Sequence, residues 1–307
     1  MQTPPTITLC IPTYNSKFLP QLLKSLEAQT FQSFKVIFVD DCSSDLTWET
    51  LCEQRDKYPF PIEIERHLEN TGGMGVAVQR TLARCSTPFF TWMACDDELE
   101  PKYLETLHRA LLQDGNLDYA YTNYLVIDEE SKLRACWTWN DISYERLVNH
   151  VADTLSGCFP MNGLFRTEFI REHGLSFLLY EGDTFSCDTI NSLHFLKAGM
   201  KSKVIRRSLF RYRRHTAQNS HALKQRILSD LTVLRYIVCE HFEALDKRVD
   251  FAVKYFRDSI DRLIKLSELR FSSRVEEVHE FAKSDEYKDA VTLHLTAVLK
   301  KYRAHKT

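Results

Sequence analysis

The sequence lacks a surplus of charge. Across 307 residues, 40 Lys and Arg face 42 Asp and Glu, for a formal net charge of −2. A chain this near neutrality has no general attraction for nucleic acid, so an anionic ligand must meet a local cluster of donors or a cation. It also lacks paired cysteines. The nine are scattered, none has the Cys-x-x-Cys spacing of a structural zinc site, and an odd, dispersed set excludes a disulfide framework. Reduced thiols in a cytoplasmic protein are the expectation. No apolar stretch approaches the ~18 residues of a membrane span. Met1 to Thr8 carries no charged segment followed by an apolar one, so no signal peptide is expected. There is no internal repeat, and no linker rich in Gly, Ser or Pro. What is present is ordinary: 44% hydrophobic and 27% charged residues, enough for a packed core.

Over the first ~120 residues, apolar runs and helical spacings alternate in the manner of βαβ units. Ile7 to Ile11 is a short strand closed by Pro12, and Leu19, Leu22, Leu23 and Leu26 follow at helical spacing. Val36 to Val39 has the continuous apolar character of a strand buried on both faces, and it stops at Asp40-Asp41. Ser44 or Asp45 can cap the next helix. Ile62 and Ile64 mark a third strand, Gly73 to Cys85 a helix, Phe89 to Met93 a fourth strand ending at Asp96-Asp97, and Tyr119 to Asn123 another strand. The pattern is then irregular to about Tyr212. From Leu223 it turns helical, with Leu223, Ile227, Leu231, Leu234 and Val238 on one face and Phe256, Ile260 and Leu263 on a second helix.

Polar residues collect where strands end: Tyr14 after the first, Asp41 after the second, Asp96 and Asp97 after the fourth. In an open α/β sheet, ligands bind outside the carboxyl ends of the strands.

Five segments carry a resemblance. ITLCIPTYN (Ile7 to Asn15), VDDCSSD (Val39 to Asp45), CDDELEP (Cys95 to Pro101), CDTINSLHFLKAG (Cys187 to Gly199) and YRRH (Tyr212 to His215) occur in the order and spacing found in family 2 glycosyltransferases of the GT-A fold. The chain resembles that family over roughly residues 6 to 220. It departs from the usual pattern at Cys42, where Gly or Asn is common, at Ala94, where an Asp often stands, and at Cys187, where an acidic residue is usual.

The resemblance implies an α/β GT-A domain, a Rossmann-like nucleotide-binding sheet with flanking helices, over residues 1–220, and a helical extension over 221–307. It implies that Pro12, Tyr14 and Asn15 form a nucleotide-binding turn, with Asn70 and Gly72 passing beneath the nucleotide and Arg80 a further candidate. The chemistry agrees. Tyr14 can pack against a nucleobase, and an ionised Asp41 can accept its imide N–H. Taken singly, each has a plainer reading, Tyr14 in the core and Asp41 capping the next helix. Two adjacent carboxylates facing a diphosphate require a cation, and hard oxygen ligands favour Mn²⁺ or Mg²⁺. By resemblance, Asp97 ligates the metal, with His215 contributing, and Asp96 reaches the ribose or the metal's waters. Asp188 is the implied catalytic base, with Asp183 in YEGD as rival or supporting partner. Most of the basic cluster Arg206, Arg207, Arg211, Arg213 and Arg214 is expected to be a solvated strand edge.

The implied reaction is an inverting transfer of a sugar from a nucleotide diphosphate, with UDP-sugar as donor, to a hydroxyl of a glycan or glycolipid. No nucleic-acid partner is expected. The C-terminal helices, with Lys247, Arg248, Lys254, Arg257, Arg262 and Lys265 near Phe251, Tyr255 and Phe256, are expected to pack on the catalytic domain; a peripheral contact at the inner face of the membrane and homo-oligomerisation are the alternatives. Two rivals stand beside an enzyme of this kind. A sugar nucleotidyltransferase would open with a Gly-rich basic loop, which Pro12 to Asn15 is not. A non-catalytic relative binding nucleotide or glycan would tolerate Ala94 and Cys187.

Overall fold

The computed structural model describes residues 4–155, 159–182, 187–216, 218, 222–241 and 252–304. In chain order the elements are β1 (Ile7–Thr13), α1 (Leu19–Glu27), β2 (Phe34–Asp40), α2 (Thr47–Gln54), β3 (Ile62–Arg66), α3 (Gly75–Arg84), β4 (Phe89–Trp92), β5 (Glu98–Leu99), α4 (Tyr103–Gln113), β6 (Tyr119–Ile127), β7 (Leu133–Trp137) and α5 (Tyr144–Thr154). There follow β8 (Leu164–Arg166), α6 (Thr167–Glu172), α7 (Cys187–Lys197), β9 (Ser202–Arg213), α8 (Leu223–Glu240), α9 (Ala252–Arg270), α10 (Val275–Lys283) and α11 (Asp285–Ala304). The chain divides into two compact units. The first comprises residues 1–141, 160–179 and 194–215; the second comprises 142–159, 180–193 and 216–307.

The first unit is built on one sheet of nine strands in the order β3-β2-β1-β4-β8-β6-β9-β5, with β7 paired to β6. β3, β2, β1 and β4 run parallel. β8 is antiparallel to both β4 and β6, β9 is parallel to β6, and β5 is antiparallel to β9. The apolar run Val36 to Val39 is buried throughout, as a strand covered on both faces requires. On α1, Leu19, Leu22, Leu23 and Leu26 are buried, and Pro20 sits at the helix start, where its missing N–H costs nothing. Asp45 accepts the backbone N–H of Thr47 at 2.9 Å and so opens α2.

The span from Asn123 to Tyr212, irregular in sequence, holds β7, α5, β8, α6, α7 and most of β9. β8 has three residues and α6 six, shorter than the window over which hydrophobic period is legible. β9 carries four arginines and a lysine along twelve residues, which mask its buried Val204, Leu209 and Phe210.

In the second unit the face expected of α8 is buried: Leu223, Ile227, Leu231, Leu234 and Val238. Buried Asp230 pairs with Arg226 at 3.0 Å and with Arg270 of α9 at 2.5 Å. Arg262 donates to the carbonyl of Ala152 at 2.6 Å, tying α9 to α5. On α9, Lys254, Arg257 and Lys265 are exposed, opposite buried Phe256 and Leu263. Lys247, Arg248 and Phe251 lie outside the described residues, as does Cys158; the other eight cysteines are free thiols. Among the described residues no helix is long and apolar enough to cross a membrane.

One glycine fixes how β8 meets β6. The N–H of Gly163 donates to the hydroxyl of buried Tyr119 at 2.7 Å, and that hydroxyl donates to the carbonyl of Pro160. A Cβ at position 163 would stand 2.3 Å from the carbonyl oxygen of Ala120 and 2.7 Å from the Tyr119 ring. Backbone cannot yield as a flexible side chain can. Gly163→Ala is expected to cost about 2–3 kcal/mol and to lower the melting temperature by on the order of 5–10 °C. Thermal denaturation checks this, and an unchanged melting temperature would contradict the packing.

Candidate functional site

The strand order reverses direction about β1, which lies between β2 and β4. Loops leaving β1 and β4 at their carboxyl ends therefore meet over one crevice, the usual ligand position in such sheets. They are joined directly: Ser16 Oγ donates to the carbonyl of Cys95 at 3.2 Å. The loop after β2 is tied to the same turn. Asn15 accepts the N–H of Ser44 at 2.9 Å, its own N–H donates to Ser43 Oγ at 3.0 Å, and the N–H of Ser16 donates to Thr47 Oγ1 at 2.9 Å. Asn15 adopts φ 45° and Cys42 φ 61°. This left-handed backbone explains why Gly or Asn is the more comfortable residue at position 42.

Within this crevice Pro12 is half-buried at the end of β1, and Tyr14 is 48% exposed. The core-packing reading of Tyr14 is thereby overturned: its ring offers an open apolar surface. Asp41 caps no helix. Its carboxylate, nearly buried, faces His67 Nδ1 at 2.8 Å and accepts the N–H and hydroxyl of Thr71 at 3.0 and 2.8 Å. The preceding Asp40 is fully buried, pairing with Arg66 at 3.1 Å and accepting the N–H of Ser43 at 3.2 Å. Asn70 Oδ1 accepts the N–H of Gly72 at 2.8 Å, and Gly72 has φ 79°, so this turn is self-bonded. Arg80 is exposed on α3.

A ladder of charge runs through the other side of the site. β5 is antiparallel to β9, with Glu98 opposite Arg211. Three acid–base pairs cross here with one common offset. Asp96 meets His215 at 2.9 Å, Glu98 meets Arg213, and Glu100 meets Arg211 at 2.8 Å. Strand alternation places Arg211 and Arg213 on one face of β9, and His215, two residues past its end, continues the same spacing. Arg213 is completely buried. It donates to the carbonyls of Asp96 at 2.7 Å and Asp128 at 2.5 Å and to Ser131 Oγ at 3.1 Å, and its guanidinium lies 4.4 Å over the Phe18 ring. Arg211 and Arg213 depart from the solvated edge expected of most of this cluster. β9 is covered by β5 at this point and has no open edge there. Arg206, Arg207 and Arg214 are exposed, as expected.

Asp97 accepts the backbone N–H of Arg213 at 2.9 Å and is buried. Desolvation, and next the charge of Asp96, push its carboxyl well above the usual range, against the pull of Arg213. Neither Asp96 nor Asp97 caps α4, whose N-cap is Lys102 without a side-chain bond. Among the described residues no three His, Cys, Asp or Glu side chains form a ready-made cation cage. The donor set nevertheless fits a divalent cation of the kind that takes one or two carboxylates from protein and the rest from phosphate and water. A carboxylate pushed toward protonation by burial, and next by its neighbour's charge, is what a cation would relieve.

Asp188 stands in the first turn of α7, within the second unit. It keeps an exposed edge, yet the atoms crowded about it raise its carboxyl above the usual value by desolvation, opposed by the N–H of Thr189 at 2.7 Å. Cys187, beside it, is buried. Asp183 lies outside the described residues.

The model of the family described as "Glycosyl transferase family 2" matches residues 8–174, more than half the chain. The chain belongs to that family. Glycosyltransferase GlyG of Streptococcus pneumoniae is 25% identical to it over 300 residues, covering 92% of this chain and 93% of that protein. Staphylococcus aureus TarS, solved in complex with UDP-GlcNAc, superposes with a TM-score of 0.56 over 98% of this chain and 92% of that one at 15% identity. The mannosyltransferase of Pyrobaculum calidifontis, solved with GDP-Man and Mn²⁺, gives 0.56 over 99% and 89% at 13% identity. The protein is a glycosyltransferase with the GT-A fold.

Sequence reasoning passed over two members of this glycosyltransferase's site. Glu98 and Arg213 hold the loop that carries Asp96 and Asp97. The signal was present as alternation, Asp96, Glu98, Glu100 against Arg211, Arg213, His215, but it becomes visible only once the two segments are known to be antiparallel. Because Arg213 is buried, removing it leaves Glu98 with Arg211, at 3.1 Å, as its remaining arginine, and strips the carbonyls of Asp96 and Asp128 of their donor. Arg213→Met is expected to cost about 3–5 kcal/mol, whereas Arg213→Met combined with Glu98→Met should recover most of that loss. Chemical denaturation of the single and double variants checks this. A single variant as stable as wild type would remove Arg213 from its central place.

Proposed function

We propose that this glycosyltransferase uses a uridine diphosphate sugar and transfers the sugar, with inversion, to a hydroxyl of a glycan or glycolipid. One observation supports the reading: Tyr14, Asp41, Asp96 and Asp97 stand in the loops that follow β1, β2 and β4, the strands about which the order reverses, and two of these loops are hydrogen-bonded to each other. The exposed Tyr14 ring offers a face for the base, with Pro12 and Asn15 shaping the turn beneath it. Asp41, an acceptor-only group when ionised, suits the imide N–H of uracil. Asn70 and Gly72 pass under the nucleotide, and Arg80 stands toward its phosphates. Asp96 takes a ribose hydroxyl or a metal-bound water.

Asp97, with His215 behind Asp96, would hold Mn²⁺ or Mg²⁺. When bound, such a cation neutralises the charge developing on the departing diphosphate. The ligands found in the TarS and mannosyltransferase complexes, UDP-GlcNAc in one and GDP-Man with Mn²⁺ in the other, support this assignment. Catalysis on this reading is electrostatic stabilisation of the leaving group together with removal of the acceptor proton.

Asp188 is the proposed base. Its position at the start of α7 in the spacing of the family motif, its exposed edge and its raised carboxyl support the role, because a base works best when its affinity for protons approaches the working pH. Asp183 is the alternative. The setting we propose is assembly of a bacterial surface polysaccharide at the cytoplasmic face of the membrane, with residues 221–307 serving packing or assembly and not donor binding.

Asp188→Asn tests the chemistry. UDP affinity should stay within a factor of about two, while transfer falls by ~10²–10⁴-fold. In the wild type, transfer should rise with pH through a pKa above the ordinary carboxylate range, since the base must be ionised to act and desolvation raises its value. Near-full transfer by the variant would move the base elsewhere, with Asp183→Asn as the next substitution. Intact UDP binding without any transfer by the wild type would favour a non-catalytic relative.

A further inference from the structure

The register between β2 and β3 pairs Asp40 with Arg66, and it continues one residue beyond the strands. The N–H of His67 donates to the carbonyl of Asp40 at 2.8 Å, and the N–H of Asp41 donates to the carbonyl of Thr13 at 2.8 Å. Positions 41 and 67 are thus neighbours held by the sheet itself. Because side chains alternate across a strand, Asp41 and His67 leave on the face opposite Asp40 and Arg66.

Asp41 is 7% exposed and His67 9%. A carboxylate can only accept, so the imidazole nitrogen facing it at 2.8 Å carries the proton, which assigns the Nδ1–H tautomer. The two carboxylate oxygens are loaded unequally. Oδ1 takes His67 Nδ1–H at 2.8 Å, the Thr71 N–H at 3.0 Å and the Thr71 hydroxyl at 2.8 Å. Oδ2 shares only the Thr71 N–H, at 3.1 Å. Oδ1 is therefore saturated, rotation of the carboxylate is blocked, and Oδ2 is the oxygen with capacity left for an incoming N–H.

We propose that His67 is a positioning residue for nucleobase choice: it fixes the Asp41 carboxylate with Oδ2 presented as an acceptor, and so favours uracil, whose N3 carries a proton, over cytosine, whose N3 carries a lone pair. The inference rests on the reading above that Asp41 meets the base. A carboxylate held in one orientation offers only an acceptor where N3 of the base arrives, which an N–H satisfies and a lone pair does not. Holding the carboxylate fixed is what makes the discrimination possible.

The test is calorimetry with UDP and with CDP on the full chain, beside a donor KM and kcat. His67→Phe keeps the ring volume and removes the donor. It should lower the ratio of UDP to CDP affinity by about tenfold, the worth of one hydrogen bond to a charged group, raise donor KM, and leave kcat at saturating donor within a factor of about two. His67→Asn places an amide N–H where Nδ1 stands and should keep the ratio near the wild-type value. A ratio unchanged in His67→Phe overturns the proposal, even if its melting temperature falls. A ratio lost equally in His67→Asn overturns it too, since shape and not the donor would then decide. Asp41→Asn separates the two levels. If it leaves UDP affinity unchanged, the reading of Asp41 as the base acceptor fails; if it weakens UDP while His67→Phe does nothing, only the role of His67 fails.

Discussion

The burial of the Arg213 guanidinium is the constraint on which the site depends. A charge taken wholly out of water is tolerable only when its donors are matched, and here Glu98, the carbonyls of Asp96 and Asp128 and the Ser131 hydroxyl receive them. Those partners come from two separate loops. Satisfying one side chain therefore fixes the loop after β4 against the turn between β6 and β7, with Phe18 at the start of α1 beneath them. The same residue's backbone N–H orients Asp97.

That arrangement explains how two adjacent carboxylates can be held at a strand end. Burial, and next the charge of Asp96, raise the cost of ionising Asp97. The ladder places the guanidiniums of Arg211 and Arg213, and the imidazole of His215, behind the loop. On the opposite wall, Asp40 is tied down by Arg66 and Ser43, and Asp41 by His67 and Thr71. Both walls follow one rule: each carboxylate proposed to meet the ligand stands next in sequence to one paired with arginine, Asp97 next to Glu98 and Asp41 next to Asp40. Groups whose rotamers are locked by their own supporting bonds hold a ligand geometry better than free ones.

Much of this was legible from sequence because it lies in strands. Val36 to Val39 announces a doubly covered strand, and the polar residues that stop each apolar run mark the ligand edge of a parallel sheet. Tyr14, Asp41, Asp96 and Asp97 follow from that alone. What stayed hidden depended on partners remote in sequence. His67 is one more residue after a weak strand until β3 is registered against β2. Arg213 is one of a dense run of arginines until β5, two residues long, is placed beside β9. The elements between Asn123 and Tyr212 are too short or too charged to show a period. The left-handed backbone at Cys42 is likewise set by the turn between β2 and α2, not by the residue, and only its departure from the family pattern hinted at it.

Whether the strand-end crevice holds a uridine diphosphate through a cation at Asp97 is decided most directly by titrating UDP into the protein calorimetrically, with Mn²⁺ and then with excess EDTA. Affinity at least about tenfold weaker in EDTA is expected, equivalent to ~1.4 kcal/mol, with Asp97→Asn in Mn²⁺ reproducing most of that loss. Equal affinity with and without the chelator, or no binding of UDP in either, would contradict it.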